Sequence, residues 1–262
     1  MLAQHTLDQL RSLRLDGLVA ALQDPATTHA AADLDFHARL ALLVQREIDW
    51  RDDKRLARLL KAAQLKVSGA CLQDIDWRAS RGLNRALMAE LAGVGWVREG
   101  RSVLLTGATG CGKTWLACAL ARQAARAGHA VLYTRTARLL EELHVAHGDG
   151  SFKRRLGQLA RLQLLVLDDF ALTPIAPHER ADLLELLDDR VGTRATIITS
   201  QLPPAAWHAW LGEPTLADAI LDRVVHGAHK IALKGESMRR SRAASNTSVT
   251  EAAMAEEISQ GG

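Results

Sequence analysis

Leu7, Leu10, Leu13, Leu15, Leu18 and Leu22 recur near the spacing of one helix face. After Pro25 and a Thr/Ala-rich break, a face resumes at Phe36, Leu40, Leu43, Val44, Glu47 and Trp50. Strand-like alternation is absent here, so residues 1–66 are expected to form a small all-helical N-terminal domain. Past Gly100 the texture changes to short apolar runs: Ser102 to Thr106, Ala130 to Thr134, Leu164 to Asp168, Ala195 to Thr199 and Lys230 to Leu233. Amphipathic stretches separate them, among them Thr114 to Ala127 and His178 to Val191. Continuously apolar strands between helices predict a parallel sheet covered on both faces, an α/β domain of the doubly wound type. Glycines 93, 95 and 100 place its start between Leu91 and Arg101. Residues 67–100 then form a helical connector, 101–242 the core, and 243–262, small, polar and acidic at the end, a poorly ordered tail.

Composition changes this picture little. Of 262 residues, 48% are apolar and 24% charged, and 33 basic against 30 acidic side chains leave only +3, so a disordered chain or a polycation is excluded. Charge is local instead: from Arg51 to Arg85 nine basic side chains face four acidic ones. Arg51, Arg55 and Arg58 lie at helical spacing with Lys54 and Lys61 on an adjoining stripe, either a solvated helix face or a surface that neutralises phosphates without reading bases. No run suits a membrane span, and Asp8, Arg11, Arg14, Asp16 and Asp24 stand where a signal peptide would be apolar, so the expected location is cytoplasmic. Cys71, Cys111 and Cys118 lack ligand spacing and read as reduced thiols. The six tryptophans sit among apolar neighbours and read as core rather than stacking platforms.

The chemistry is concentrated at Gly107-Ala108-Thr109-Gly110-Cys111-Gly112-Lys113-Thr114, which fits G-x-x-x-x-G-K-[ST] directly after a predicted strand and before a predicted helix. Glycines let the backbone curl so that several N–H groups point inward at a helix N-terminus, already favourable to an anion. Lys113 supplies a positive charge for the β/γ-phosphates and the Thr114 hydroxyl an oxygen for Mg²⁺, so ATP with Mg²⁺ is the expected ligand. Downstream, the Leu164 run ends in Asp168 and Asp169: Asp168 is expected to hold the metal, directly or through water, and Asp169 to orient or deprotonate the attacking water. Ser200 and Gln201 close the next strand at the sheet edge where ligands sit, and Gln201 could sense the γ-phosphate or place water. Arg223 is either a surface partner of Asp222 or an arginine finger reaching a neighbouring subunit.

Together these segments resemble the IstB family, the AAA+ ATPase partner of a bacterial insertion-sequence transposase, and more distantly the helicase loader DnaC. The resemblance rests on Leu104 to Ala121, Leu164 to Leu172, Thr196 to Pro203, Glu213 to Arg239, Arg51 to Leu65 and Asp74 to Arg85. It implies an AAA+ fold and an ATPase stimulated by DNA and by nucleotide-dependent homo-oligomer assembly on duplex DNA. It also implies DNA bending and recruitment or activation of a cognate transposase. On this analogy Gln201 is the first sensor, Arg223 the finger in trans, and Arg239 a second basic contact to nucleotide or DNA. Ala171 stands where the family pattern has glycine, which should stiffen that turn. The competing expectations are a DnaC-like helicase loader and a small-molecule P-loop kinase; the chain has no evident arginine-rich acceptor lid for the latter.

Overall fold

The computed structural model describes residues 2–30, 33–77, 81–235 and 238; Arg239 and the 243–262 segment lie outside the described residues. The chain divides into two compact units, Met1–Lys61 and Ala62–Gly262.

The first unit contains α1 (Leu2–Ser12), α2 (Asp16–Gln23), α3 (Pro25–Ala30) and α4 (Phe36–Ala62, whose last residue enters the second unit). The apolar face expected along α4 is not buried: Phe36, Leu40 and Val44 stay exposed, whereas Glu47 is only 6% exposed. The reason is polar. Glu47 Oε2 accepts from the Leu18 amide at 3.0 Å, capping the N-terminus of α2, and Oε1 accepts from Arg51 Nε at 2.6 Å. Burial raises the Glu47 pKa, but the bonds from Arg51, Leu18 and Gly17 outweigh it and hold the carboxyl below its ordinary value.

In the second unit a 3₁₀ turn at Leu72–Asp74 precedes α5 (Arg85–Ala92), capped by Asn84, and α6 (Gly95–Arg98). Then follow β1 (Val103–Gly107), α7 (Lys113–Arg126), β2 (Val131–Arg135), α8 (Thr136–Gly148), α9 (Phe152–Arg161) and β3 (Leu164–Phe170). The chain continues through α10 (Pro177–Asp188), β4 (Ala195–Ser200), α11 (Pro204–Leu211), α12 (Pro214–Val225) and β5 (His229–Leu233). All five expected strands are present within one or two residues of their predicted limits, in one sheet of order β2-β3-β4-β1-β5, every pair parallel. The central strands are buried along most of their length because both faces are covered: α7 packs across β1 to β4, and α8 to α12 close the other side around Leu139, Leu143, Leu165, Leu183 and Trp207. The edge strand β5 instead alternates, burying Ile231 and Leu233 and exposing Lys230 and Ala232. No described helix is long and apolar enough to cross a membrane.

The tryptophans divide. Trp96 and Trp207 are core, but Trp50 and Trp77 are each 37% exposed. Each of these two carries a cation over its ring, Lys54 at 4.9 Å and Arg85 at 5.1 Å.

One buried cation ties the sheet to its covering helices. Arg190, 1% exposed, donates to the Leu159 carbonyl at 2.6 Å, the Leu162 carbonyl at 3.0 Å, Thr196 Oγ1 at 3.1 Å and the Ala195 carbonyl. It thereby joins the end of α9, the turn after α10 and the start of β4. Arg190→Met is expected to strand two buried carbonyls and one half-buried one and cost about 3 kcal/mol, lowering the thermal midpoint on the order of 10 °C in a circular-dichroism melt. An unchanged midpoint would show that the tie is dispensable.

Candidate nucleotide site

The carboxyl-terminal ends of β1, β4 and β3 lie side by side, so the loops leaving them converge on one cleft of about 500 Å³. Lys66, Asp74, Arg81, Thr109, Gly110, Gly112, Lys113, Thr114, Trp115, Arg135, Asp169 and Gln201 are among its lining residues. The loop from β1 to α7 forms its floor. Gly107 adopts φ +144°, and a Cβ there would overlap the Leu233 carbonyl oxygen; Gly112 adopts φ +96° as α7 begins. Only glycine fits these two positions without strain, which is why the motif spaces them as it does. The amides opening α7 have no helical acceptor and are available to an anion. Lys113 is 7% exposed and its Nζ donates to the carbonyls of Gly107 at 2.7 Å and Ala108 at 2.8 Å. The ammonium is thus held at the rim of the loop by bonds that a phosphate can replace. Cys111 is buried at 1% exposure within the loop, and all three cysteines are free thiols.

Asp168 lies beneath this floor, its side chain wholly buried. Its carboxylate accepts from Thr114 Oγ1 at 2.9 and 3.1 Å, Thr199 Oγ1 at 2.5 Å and Tyr133 Oη at 2.5 Å, with Lys66 Nζ 3.9 Å away. Burial, followed by the bond to Asp168, pushes the Tyr133 phenol well above its ordinary pKa, so Tyr133 remains a donor. With its proton directed at Asp168, the Thr114 hydroxyl keeps lone pairs for a cation. A hydroxyl beside a carboxylate is the hard-oxygen donor set that suits Mg²⁺. Burial raises the nearby Cys118 thiol to about 11, which keeps it protonated and inert.

Asp169 reaches the cleft by a backbone irregularity. Leu164 to Leu167 pair in step with Ala195 to Ile198, but Phe170 then pairs with Ser200, so β3 spends one residue more than β4. In a regular strand Asp168 and Asp169 would face opposite sides of the sheet; the bulge lets one carboxylate sit under the loop while its neighbour lines the cleft. Asp169 takes φ +57°, its amide donates to Thr199 Oγ1 at 3.1 Å, and its carboxylate lies 3.8 Å from Arg135 Nε. Ala171 continues the turn at φ +60°, the left-handed region that explains the expected glycine; alanine bears a local cost there of about 1 kcal/mol.

Other expected residues separate. Gln201 stands exposed at the cleft mouth, at the end of the strand between those bearing the loop and the carboxylates. Ser200 does not face a ligand: fully buried, it donates to the Phe170 carbonyl at 2.8 Å and accepts from Leu202 N and Trp207 Nε1, a structural knot at the end of β4. Arg223 lies away from the cleft lining, on the last turn of α12, and pairs with Asp188 at 2.5 Å rather than with its neighbour Asp222. Arg51, Lys54, Arg55, Arg58 and Lys61 all lie exposed on α4, in the other unit. Arg51 is engaged by Glu47 and by the Arg14 carbonyl at 3.2 Å, and Lys54 by the Trp50 ring; Arg55, Arg58 and Lys61 form no ion pair among the described residues. Tyr133, Thr199, Lys66, Arg81 and Arg135 were not singled out as site residues from the sequence. Isolated polar residues in strands and connectors carry no spacing signal.

Comparison with known proteins identifies the family. A family model described as IstB-like ATP binding protein matches residues 8–246. A Pseudomonas fluorescens protein named for ATP binding in insertion sequence IS1162 is 55% identical over 203 residues, covering 78% of this chain and 88% of its own. A Sinorhizobium fredii protein named likewise for insertion-sequence ATP binding, y4pL, is 46% identical over 92% of this chain and 98% of its own. Among solved structures, the DnaC helicase loader aligns with a TM-score of 0.54 at 19% identity, over 63% of this chain and 97% of that one. The replication initiator DnaA bound to AMPPCP and single-stranded DNA aligns at 0.51 and 16% identity, over 64% of this chain and 50% of that one. These structural likenesses concern the fold, a P-loop AAA+ core. With a family model spanning almost the whole chain and relatives of 46% and 55% identity, the protein belongs to the IstB-like ATP-binding proteins.

Proposed function

We propose that this protein is an ATPase that assembles with nucleotide on duplex DNA and recruits or activates the transposase of its insertion sequence. The observation that carries the reading is the pairing of Thr114 with Asp168 beneath a glycine loop, with Asp169 carried by a bulge into the same cleft. The α7 amides and Lys113 bind the phosphates, and Lys113 exchanges two carbonyl acceptors for phosphate oxygens. Thr114 and Asp168 would hold Mg²⁺, which when bound neutralises charge developing on the β/γ-phosphate oxygens. Tyr133 and Thr199 fix the Asp168 carboxylate in orientation. Asp169 orients the attacking water and takes its proton, and Gln201 contacts the γ-phosphate side of the cleft. Arg223 acts on the site of an adjacent subunit, which requires its bond to Asp188 to open on assembly.

Exposed Arg55, Arg58 and Lys61 on α4 support a duplex contact that is salt-sensitive and largely independent of sequence. The names of the curated relatives support the transposition setting over helicase loading. Sedimentation with a short duplex, with and without ATP and Mg²⁺, at two salt concentrations, tests the reading. A large complex that needs nucleotide and weakens steeply as salt rises is expected. A protein that binds ATP yet stays small and ignores DNA would overturn the DNA-assembly reading.

A further inference from the structure

The cleft holds a cation that belongs to neither sequence motif. Arg81 lines it, is only 7% exposed, and sits close enough to the phosphate loop that a Cβ on Gly112 would come within 3.2 Å of Nη1. Nη2 donates to the Asp76 carbonyl at 2.9 Å, but the buried Nε has no acceptor, and the guanidinium forms no ion pair among the described residues. Its backbone is fixed: the Arg81 carbonyl accepts from the Lys234 amide at 2.9 Å, anchoring it to the end of β5. A buried guanidinium with an unmet N–H is costly, and it is tolerable where a ligand supplies the missing acceptor and countercharge. Carboxylates of Asp74, Asp76 and Asp169 also line the cleft, but at the loop itself the opening amides of α7 and the Lys113 ammonium attract an anion. A planar fork of donors matches phosphate oxygens.

We propose that Arg81 is a phosphate-binding residue of the nucleotide site, its Nε–H and Nη1 donating to non-bridging oxygens of a bound nucleoside di- or triphosphate beside Lys113. The proposal rests on the nucleotide reading of the cleft and adds a ligand contact from the connector before β1. The competing role is a structural tie, in which the bond to the Asp76 carbonyl merely holds the Arg81 side chain in place.

The two roles separate in a single set of measurements on the full chain: thermal melting without nucleotide, and calorimetric affinities for ATP and ADP with Mg²⁺ at two salt concentrations. Arg81→Met is expected to melt at or above the wild-type temperature without nucleotide, because a buried charge with an unmet donor has been removed. It should bind ATP and ADP about 10- to 100-fold more weakly, with a shallower salt dependence. Affinities within twofold of wild type, or a lower melting point with nucleotide binding retained, would overturn the proposal in favour of the tie. If Arg81→Met does not fold, Arg81→Lys carries the test, since it keeps the charge without the Nε–H: several-fold weaker binding in a normally melting protein is expected, and unchanged binding overturns the proposal. Wild type and Lys113→Ala run alongside. Should wild type itself bind no nucleotide, the reading of the cleft fails together with this inference, whereas tight wild-type binding with an indifferent Arg81 variant removes this inference alone.

Discussion

Lys113→Ala is expected to weaken nucleotide binding at least tenfold while leaving the fold in place. Lys113 is 7% exposed, and its ammonium donates to the carbonyls of Gly107 and Ala108. Both carbonyls belong to a loop bordering an open cleft, so water can replace the lost donor and the nucleotide-free melting point should move by only a few degrees. Binding has no such substitute. The β/γ-phosphates lose their charged donor, and charge-assisted bonds worth about 1.5–3 kcal/mol each correspond to a roughly 10- to 10⁴-fold loss of affinity for one or two of them. A thermal-shift titration reads this directly: wild type should gain about 2.7 kcal/mol at ATP concentrations near 100 times its dissociation constant, and the variant about half of that or less at the same concentration. ATP stabilisation of Lys113→Ala equal to that of wild type would refute the assignment of the loop as the phosphate cradle.

The second large effect separates binding from turnover. Asp169→Asn is expected to keep ATP affinity within a few-fold and to reduce hydrolysis about 10²- to 10⁴-fold, the range associated with a positioned proton acceptor. Asparagine is the informative replacement because Asp169 occupies φ +57°, a region asparagine also tolerates, so the bulge and the Thr199 bond to its amide should persist. The lost pairing with Arg135, at 3.8 Å between half-exposed groups, is worth little by itself. Arg223→Ala should show the same split of binding from turnover by another route, since its side chain is anchored to Asp188 outside the cleft lining. Mixing the two variants is expected to restore part of the activity, because some interfaces then combine an intact Asp169 with an intact Arg223. Phosphate release that stays flat on mixing would remove the finger in trans.

Much of the cleft was legible because its signals are local. The Gly107 to Thr114 loop needs its glycines at fixed spacing, and the apolar runs before it and before Asp168 can only be strands buried on both faces. Neighbouring positions without such spacing misled or stayed silent. Ser200 and Gln201 look alike at the end of one strand, yet the alternation of the strand buries the first under Phe170 and Trp207 and presents the second to the cleft. Glu47 sits in an apolar pattern and reads as part of a face, while its burial is accounted for by the N–H groups of another helix.

By itself the sequence determined the class of fold, five parallel strands with intervening helices, and the nucleotide loop with its downstream carboxylates. These follow from hydrophobic periodicity and from the backbone conformations that only glycine allows, both readable within a few residues. Only the tertiary structure decided which polar groups act on those carboxylates and which remain open to a ligand. Tyr133, Thr114 and Thr199 meet at Asp168 from three separate strands and helices, and Arg81 is brought to the loop from a connector about thirty residues upstream. Such contacts are set by strand order and by a one-residue bulge in β3, and neither leaves a periodic trace in the chain.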